Sequence, residues 1–381
     1  MPYFDYNATT PLVPVARDAW LQASEESWQN PSSPYRAGVR AGVRLQNARE
    51  RLAMMLGAEA SRVVFTGGAT EAIHGILAHL ARTWPSEAKL AVSPLEHPAM
   101  LAAVGANFRS EQVVSLQVDQ NGLVGIDGVD AAIKEGVRGL IMMAANNETG
   151  AIMPWEMTAA KCRSAGVVFV CDASQWLGKL PASDLGEADW VVGAGHKFGA
   201  PKGVGFLLRP KAENGFVMRP GGTQESGQRG GTEDLASIQA MVAALLEAEQ
   251  SKVLHESDRV RWRESFESEI TRRLPGAKIV AAETERLWNT VALVMPEGEN
   301  QRWVALLDKC RVQVSTGSAC SSGKAAPSHV LAAMGVPGAE ARRVIRISSG
   351  WSTELHEWQE LADALVAVSS ELKPAANVIT P

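Results

Sequence analysis

Short runs of β-branched and apolar residues alternate with amphipathic stretches through the first two thirds of the chain, and this rhythm restricts the architecture more than any other feature. Strands separated by helical segments predict an α/β domain with a largely parallel sheet, because parallel neighbours need a crossover connection and a helix commonly supplies it. Val63–Thr66 reads as one such strand, and residues 190–192 as another. Gly139–Met143 and residues 167–171 are apolar at nearly every position, as strands buried on both faces must be, and each runs out into polar residues. In an open α/β sheet ligands gather at the carboxyl ends of the strands, so the chemistry is sought in those polar exits.

The last third changes character. After the turn-rich stretch 220–231, Ile238, Met241, Val242, Leu245 and Leu246 share one helical face and predict a long helix leading into a second domain. Strands are expected over 289–295 and 344–348. Leu355, Trp358, Leu361, Leu365 and Val368 then predict a final helix that Pro374 ends. A chain of 381 residues is long enough for two domains, and no internal repeat points to a solenoid.

Composition narrows the function classes. A net charge of -5 offers no broad basic field, which argues against nucleic acid as a direct partner. Hydrophobic residues at 46% and charged residues at 21% match ordinary globular usage. The opening Met1-Pro2-Tyr3-Phe4-Asp5 lacks the basic and apolar regions of a signal peptide, and no apolar run reaches the roughly 18 residues of a membrane helix. A cytoplasmic protein without membrane contact is expected. Cys162, Cys171, Cys310 and Cys320 lie far apart with no CxxC pair, so neither a disulfide framework nor a metal site is expected; the first three read as reduced thiols.

Four local features could carry chemistry. Thr66-Gly67-Gly68-Ala69-Thr70-Glu71 is a glycine turn between a strand and a helical segment over 72–82, and free N–H groups at a helix start can hold a phosphate. Such turns are also common without a ligand. Asp172, in Cys171-Asp172-Ala173-Ser174-Gln175, stands at the end of a buried strand, where it serves either as a helix cap or as an anion paired with a cationic ring nitrogen; Gln175 could donate to that ring's phenolic oxygen. Lys197 follows an apolar strand within Gly195-His196-Lys197-Phe198-Gly199, where desolvation and neighbouring charge would make it nucleophilic, although a surface lysine is the usual alternative. Cys320 sits in Ser318-Ala319-Cys320-Ser321-Ser322-Gly323. A thiol among small polar residues suits a nucleophile better than a core position, though an incidental loop cysteine fits as well.

Taken in order, these pieces resemble the cysteine desulfurases of the class V aminotransferase group, the NifS/IscS-like branch, over nearly the whole chain. Phe4-Asp5-Tyr6-Asn7-Ala8-Thr9-Thr10-Pro11, Asn30-Pro31-Ser32-Ser33, Glu96-His97, Asn146-Asn147-Glu148-Thr149-Gly150, Arg229-Gly230-Gly231-Thr232 and Pro327-Ser328-His329-Val330-Leu331 extend the resemblance in the same order. It implies a type I pyridoxal-phosphate fold like that of aspartate aminotransferase. A large domain with a mainly parallel sheet would cover 12–254, and a smaller α/β domain, built from 1–11 and 255–381, would carry the cysteine loop.

The same resemblance implies pyridoxal 5'-phosphate as the cofactor, with Lys197 binding it covalently and Asp172 pairing with its pyridinium nitrogen. Gln175 and Asn147 would contact cofactor or substrate, and His97 would stack on the ring. Gly68, Ala69, Thr70 and His196 would hold the phosphate, joined by Thr232 from the second subunit of a homodimer. Arg346, in Ile345-Arg346-Ile347-Ser348, would grip the substrate carboxylate, and Cys320 would take sulfur as a persulfide. The implied reaction converts L-cysteine to L-alanine and passes sulfur to iron–sulfur cluster assembly or another acceptor protein. A selenocysteine lyase or another C–S lyase using the same cofactor is the enzymatic alternative. A catalytically silent scaffold would need a damaged site, and Lys197, Asp172 and Cys320 argue against that. The sequence departs from the family pattern at Ala194, where relatives carry a hydroxyl, at Tyr35, where they often carry histidine, and at Thr223 and Ser226 in the Gly-Gly-Gly-x-Glu-Arg stretch.

Overall fold

The computed structural model describes residues 1–213, 215–317 and 328–372, with side chains throughout except at 252–256. Seven strands form the larger sheet: β1 (Val63–Thr66), β2 (Leu90–Val92), β3 (Val113–Ser115), β4 (Gly139–Met143), β5 (Val168–Asp172), β6 (Trp190–Ala194) and β7 (Gly205–Leu208). Their spatial order is β1-β7-β6-β5-β4-β2-β3. Neighbours from β6 through β3 pair in parallel, whereas β7 runs antiparallel to both β6 and β1. Reversal of β7 leaves the other six strands pointing the same way, so Thr66, Met143, Asp172 and Ala194 finish at one edge of the sheet.

Alternate residues of one strand feed opposite layers, because a strand has a side-chain period of two. On β4, Leu140 and Met142 enter the core that also holds Phe65, Phe169 and Val191. Ile141 enters the opposite layer with Ile73, Ile76, Val170 and Trp190. Burial on both faces explains why these strands read as continuous apolar runs rather than alternating ones.

A second sheet, wholly antiparallel, has the order β10-β11-β9-β8, with β8 (Lys278–Ile279), β9 (Thr290–Val294), β10 (Ser315–Thr316) and β11 (Val344–Ser348). Its core contains Phe4, Phe266, Val291, Leu293, Ile345, Ile347, Trp358 and Leu361. The helix Leu235–Arg273 runs 39 residues, packing first on the helices Pro14–Glu26 and Arg36–Met55 and then contributing Phe266 and Ile270 to this second core. Residue 254, expected as a domain limit, therefore lies inside a continuous helix.

The N-terminal segment links the two sheets. Ser348 N–H donates to the Phe4 carbonyl at 2.8 Å, and Phe4 N–H donates to the Gln313 carbonyl at 2.8 Å, fixing this segment beside β11. A few residues on, Thr10 N–H donates to the His196 carbonyl at 3.0 Å, beyond the end of β6. Asn7 is thereby held between the sheets.

Candidate active site

A cavity of about 640 Å³ opens where the carboxyl edge of the large sheet meets β11 and the N-terminal segment. Its floor follows from the strand ends. Beyond β1 the chain turns through Gly67 and Gly68 into the helix Ala69–Thr83, and Gly68 takes a φ of 142°, which a side chain would disfavour. A Cβ on Gly205 would lie 2.6 Å from the Gly68 Cα, so a glycine on β7 is what lets this turn sit against the sheet. No side chain caps the helix start, and Gly68, Ala69 and Thr70 all line the cavity. Backbone N–H groups and the positive dipole end make such a place hospitable to an anion.

The charges around His196 favour an anion in the same corner. Burial, reinforced by Lys197, Lys202 and Lys179, pushes the imidazole down to about 4, so it is neutral at neutral pH. Its Nδ1 lies 3.1 Å from the Thr9 hydroxyl. Lysines that disfavour a proton on His196 create a field that favours negative charge.

Lys197 follows β6 in a tight turn, and its Nζ donates to the carbonyls of Asn7 at 2.7 Å and Ala8 at 2.8 Å. Asp172 ends β5, where its Oδ1 accepts the Ser174 N–H at 2.9 Å. The Ser174 hydroxyl lines the cavity, is buried, and has no hydrogen-bond partner among the described residues, a polar atom that a ligand would satisfy. Gln175 donates from Nε2 to the Asn7 carbonyl at 3.0 Å and accepts at Oε1 from Lys179 Nζ at 3.1 Å.

His97 caps the helix Pro98–Asn107, and its Nδ1 accepts the Ala99 N–H at 3.1 Å, which leaves the proton of the neutral ring on Nε2. Burial holds its pKa down, Asp172 opposes that, and Lys197 and His329 add to it. The preceding Glu96 is fully buried. Burial and then the neighbouring Asp172 push its carboxyl well above the usual range, while Met143 N–H binds its Oε1 at 2.6 Å.

Arg346 reaches the cavity from β11. It donates to Asp5 Oδ1 at 2.7 Å and to the Asn147 carbonyl at 3.1 Å, while its buried Nε has no partner among the described residues. Glu148, one residue beyond Asn147, accepts the Ser328 hydroxyl at 2.6 Å.

Lys197, His97, Asp172, Gln175, Asn147, Gly68, Ala69, Thr70, His196 and Arg346 thus line a single cavity, though they come from six separate stretches of chain. Thr232 does not. It lines a pocket of about 130 Å³ on the other side of the glycine turn, with Gly67 and Arg229. Cys320 lies outside the described residues. Asn7, Ser174, Lys202 and Glu148 also line the cavity without having been assigned roles from sequence. Asn7, Glu148 and Ser174 all stand within stretches singled out from the sequence, but only the fold turns them towards the cavity. Among the described residues no cluster of His, Cys, Asp and Glu could hold a metal, and no helix is long and apolar enough to cross a membrane.

The family model described as aminotransferase class-V matches residues 2–361. The chain is 35% identical to a cysteine desulfurase of Cereibacter sphaeroides over 97% of its own length and 96% of that protein. It is 33% identical to the cysteine desulfurase NifS of Azotobacter vinelandii over 92% of its length and 89% of that protein. Among solved structures, a NifS-like protein superposes with a TM-score of 0.89 at 29% identity, covering 97% of this chain and all 100% of its own. Another, SspA in complex with cysteine, superposes with a TM-score of 0.77 at 27% identity, covering 91% of this chain and 98% of its own.

Proposed function

From the premise that the chain belongs to the class-V aminotransferase family, we propose that it is a cysteine desulfurase, which converts L-cysteine to L-alanine and retains the sulfur on Cys320. The observation that carries this reading is the convergence of Lys197, Asp172 and Arg346 on one cavity, in a chain alike over nearly its full length to proteins of that activity.

The cavity suits pyridoxal 5'-phosphate. An uncapped helix start and a cluster of lysines around a neutral His196 match a dianionic phosphate, buried Asp172 matches a protonated ring nitrogen, and the unpartnered Ser174 hydroxyl matches a polar ligand. Bound there, the cofactor supplies an electron sink for a carbanion at the substrate's Cα.

The chain's own groups supply the rest. Arg346 takes the substrate carboxylate, and its fixed contacts to Asp5 and Asn147 orient it for that task. Lys197 would hold the cofactor covalently, and its amine, once free, would take the Cα proton of the substrate. His97, neutral with its proton on Nε2, is placed to move protons near the substrate thiol. Gln175 would donate to the phenolic oxygen of the cofactor. The Cys320 thiolate attacks the substrate sulfur: an S–S bond forms, the Cβ–S bond breaks, and its electron pair stays with Cβ, which takes up one proton to become the alanine methyl. No external oxidant is required, since the sulfur gained by Cys320 balances the carbon reduced in alanine.

We further assign a homodimer in which Thr232, lying apart from its own subunit's cavity, serves the phosphate site of the other. The sulfur then goes to an acceptor protein, with iron–sulfur cluster assembly as one destination. Product analysis tests the activity. Protein loaded with pyridoxal phosphate and given L-cysteine should release alanine; pyruvate with ammonia would mark an eliminating lyase instead.

A further inference from the structure

Lys179 is a buried cation that the reaction above does not use. It is 5% exposed and lies between two cavities, the one described above and a neighbouring cavity of about 830 Å³ walled by Trp262, Trp288 and Trp351. Trp288 Nε1 donates to the Lys179 carbonyl at 3.1 Å, fixing its backbone. From that second cavity the side chain reaches to Oε1 of Gln175, which lines the first.

We propose that Lys179 is a positioning residue for the cofactor, acting through the Gln175 amide. A lysine ammonium only donates, so the Gln175 atom 3.1 Å from it has to be oxygen; the Asn7 carbonyl only accepts, so the atom 3.0 Å from it has to be nitrogen. Two neighbours of opposite character therefore fix the amide in one orientation. One of the two Nε2 hydrogens is used by Asn7, which leaves the other for a ligand oxygen in the cavity. The ammonium also polarises the amide and strengthens that remaining donor. Applied to the assigned cofactor, on which this inference rests, Lys179 and Gln175 together stabilise negative charge on the phenolic oxygen and so lower the pH at which the bound cofactor loses the proton associated with it.

The test is the pH dependence of visible absorption in protein loaded with pyridoxal phosphate. Lys179→Met should move the midpoint upward by about 1 pH unit, roughly ten-fold in proton affinity, because a cation beside the anionic form has been removed. Lys179→Arg, which keeps a donor, should stay near the parent midpoint. In a Gln175→Leu background the Lys179→Met effect should vanish, since the amide that carries it is gone. An unchanged midpoint in Lys179→Met, or shifts that add in the double variant, would overturn the proposal. If Lys179→Met does not fold, Lys179→Gln answers the same question with the charge removed and a polar group retained. A parent protein with no visible band would remove the cofactor reading itself, a failure distinct from an unchanged midpoint.

Discussion

Lys197 is held by two main-chain carbonyls of the N-terminal segment, so its ammonium has a fixed position at the cavity wall. Borohydride treatment of cofactor-loaded protein should leave the cofactor mass on the peptide containing Lys197, and Lys197→Ala should lose the adduct. Adduct on Lys202, which lines the same cavity, would contradict the assignment. His196 gives a prediction from titration alone. Its folded pKa of about 4 lies below the unfolded value near 6.5, so the unfolded chain binds more protons in between, and stability present above the unfolded value is lost as pH falls from 6.5 through 4. Thermal unfolding of cofactor-free protein should show this acid loss, and His196→Gln should lack that component. Lys197 and Asp172 were legible in the sequence because each closes an apolar strand. Ser174, Lys179 and Lys202 were not, because their roles depend on distances to residues from other stretches.

At the scale of elements, the loop that carries Arg229 and Thr232 shows how a departure from the family pattern is accommodated. Glu225 and Ser226 both adopt positive φ, 47° and 57°, where glycine is easier. The buried Glu225 carboxylate is gripped by both terminal nitrogens of Arg49, each at 2.7 Å, and also takes the Phe65 N–H at 2.9 Å. The ion pair therefore holds the bend against β1. Arg49→Ala, which strands a buried carboxylate, should destabilise the protein by about 3 kcal/mol in denaturant unfolding; a loss below about 0.5 kcal/mol, the range of an ordinary surface change, would refute this role. Most strands of four or five residues are readable from their apolar runs, with β1, β4 and β11 falling where the pattern set them, whereas the four-residue antiparallel β7 was not read. The two-residue β8 and β10 are too short to show any period, and their pairing with the central strands of the small sheet decides them. The helix starting at Ala69 begins earlier than its apolar pattern, directly after its N-cap Gly68.

Across the whole molecule, the cavity depends on the N-terminal segment meeting both sheets. Phe4 belongs to the small core, Asn7 contacts both Lys197 and Gln175, and Asp5 pairs with Arg346, so the first residues join the Lys197 and Arg346 walls of the cavity. The fold class was legible from strand–helix alternation; this closure was not, because the opening residues carry no periodicity and matter only through what they touch. If Thr232 serves the other subunit's phosphate, cofactor retention should follow the dimer: light scattering should give a dimer, and a fully active monomer would contradict that assembly. The most direct test of the central claim is a single-turnover reaction of cofactor-loaded protein with L-cysteine, followed by mass analysis of the Cys320 peptide and assay of alanine. One extra sulfur on that peptide, removable by a thiol reductant and matched by one alanine per site, is the predicted result. Alanine released at the parental rate by Cys320→Ala would contradict it.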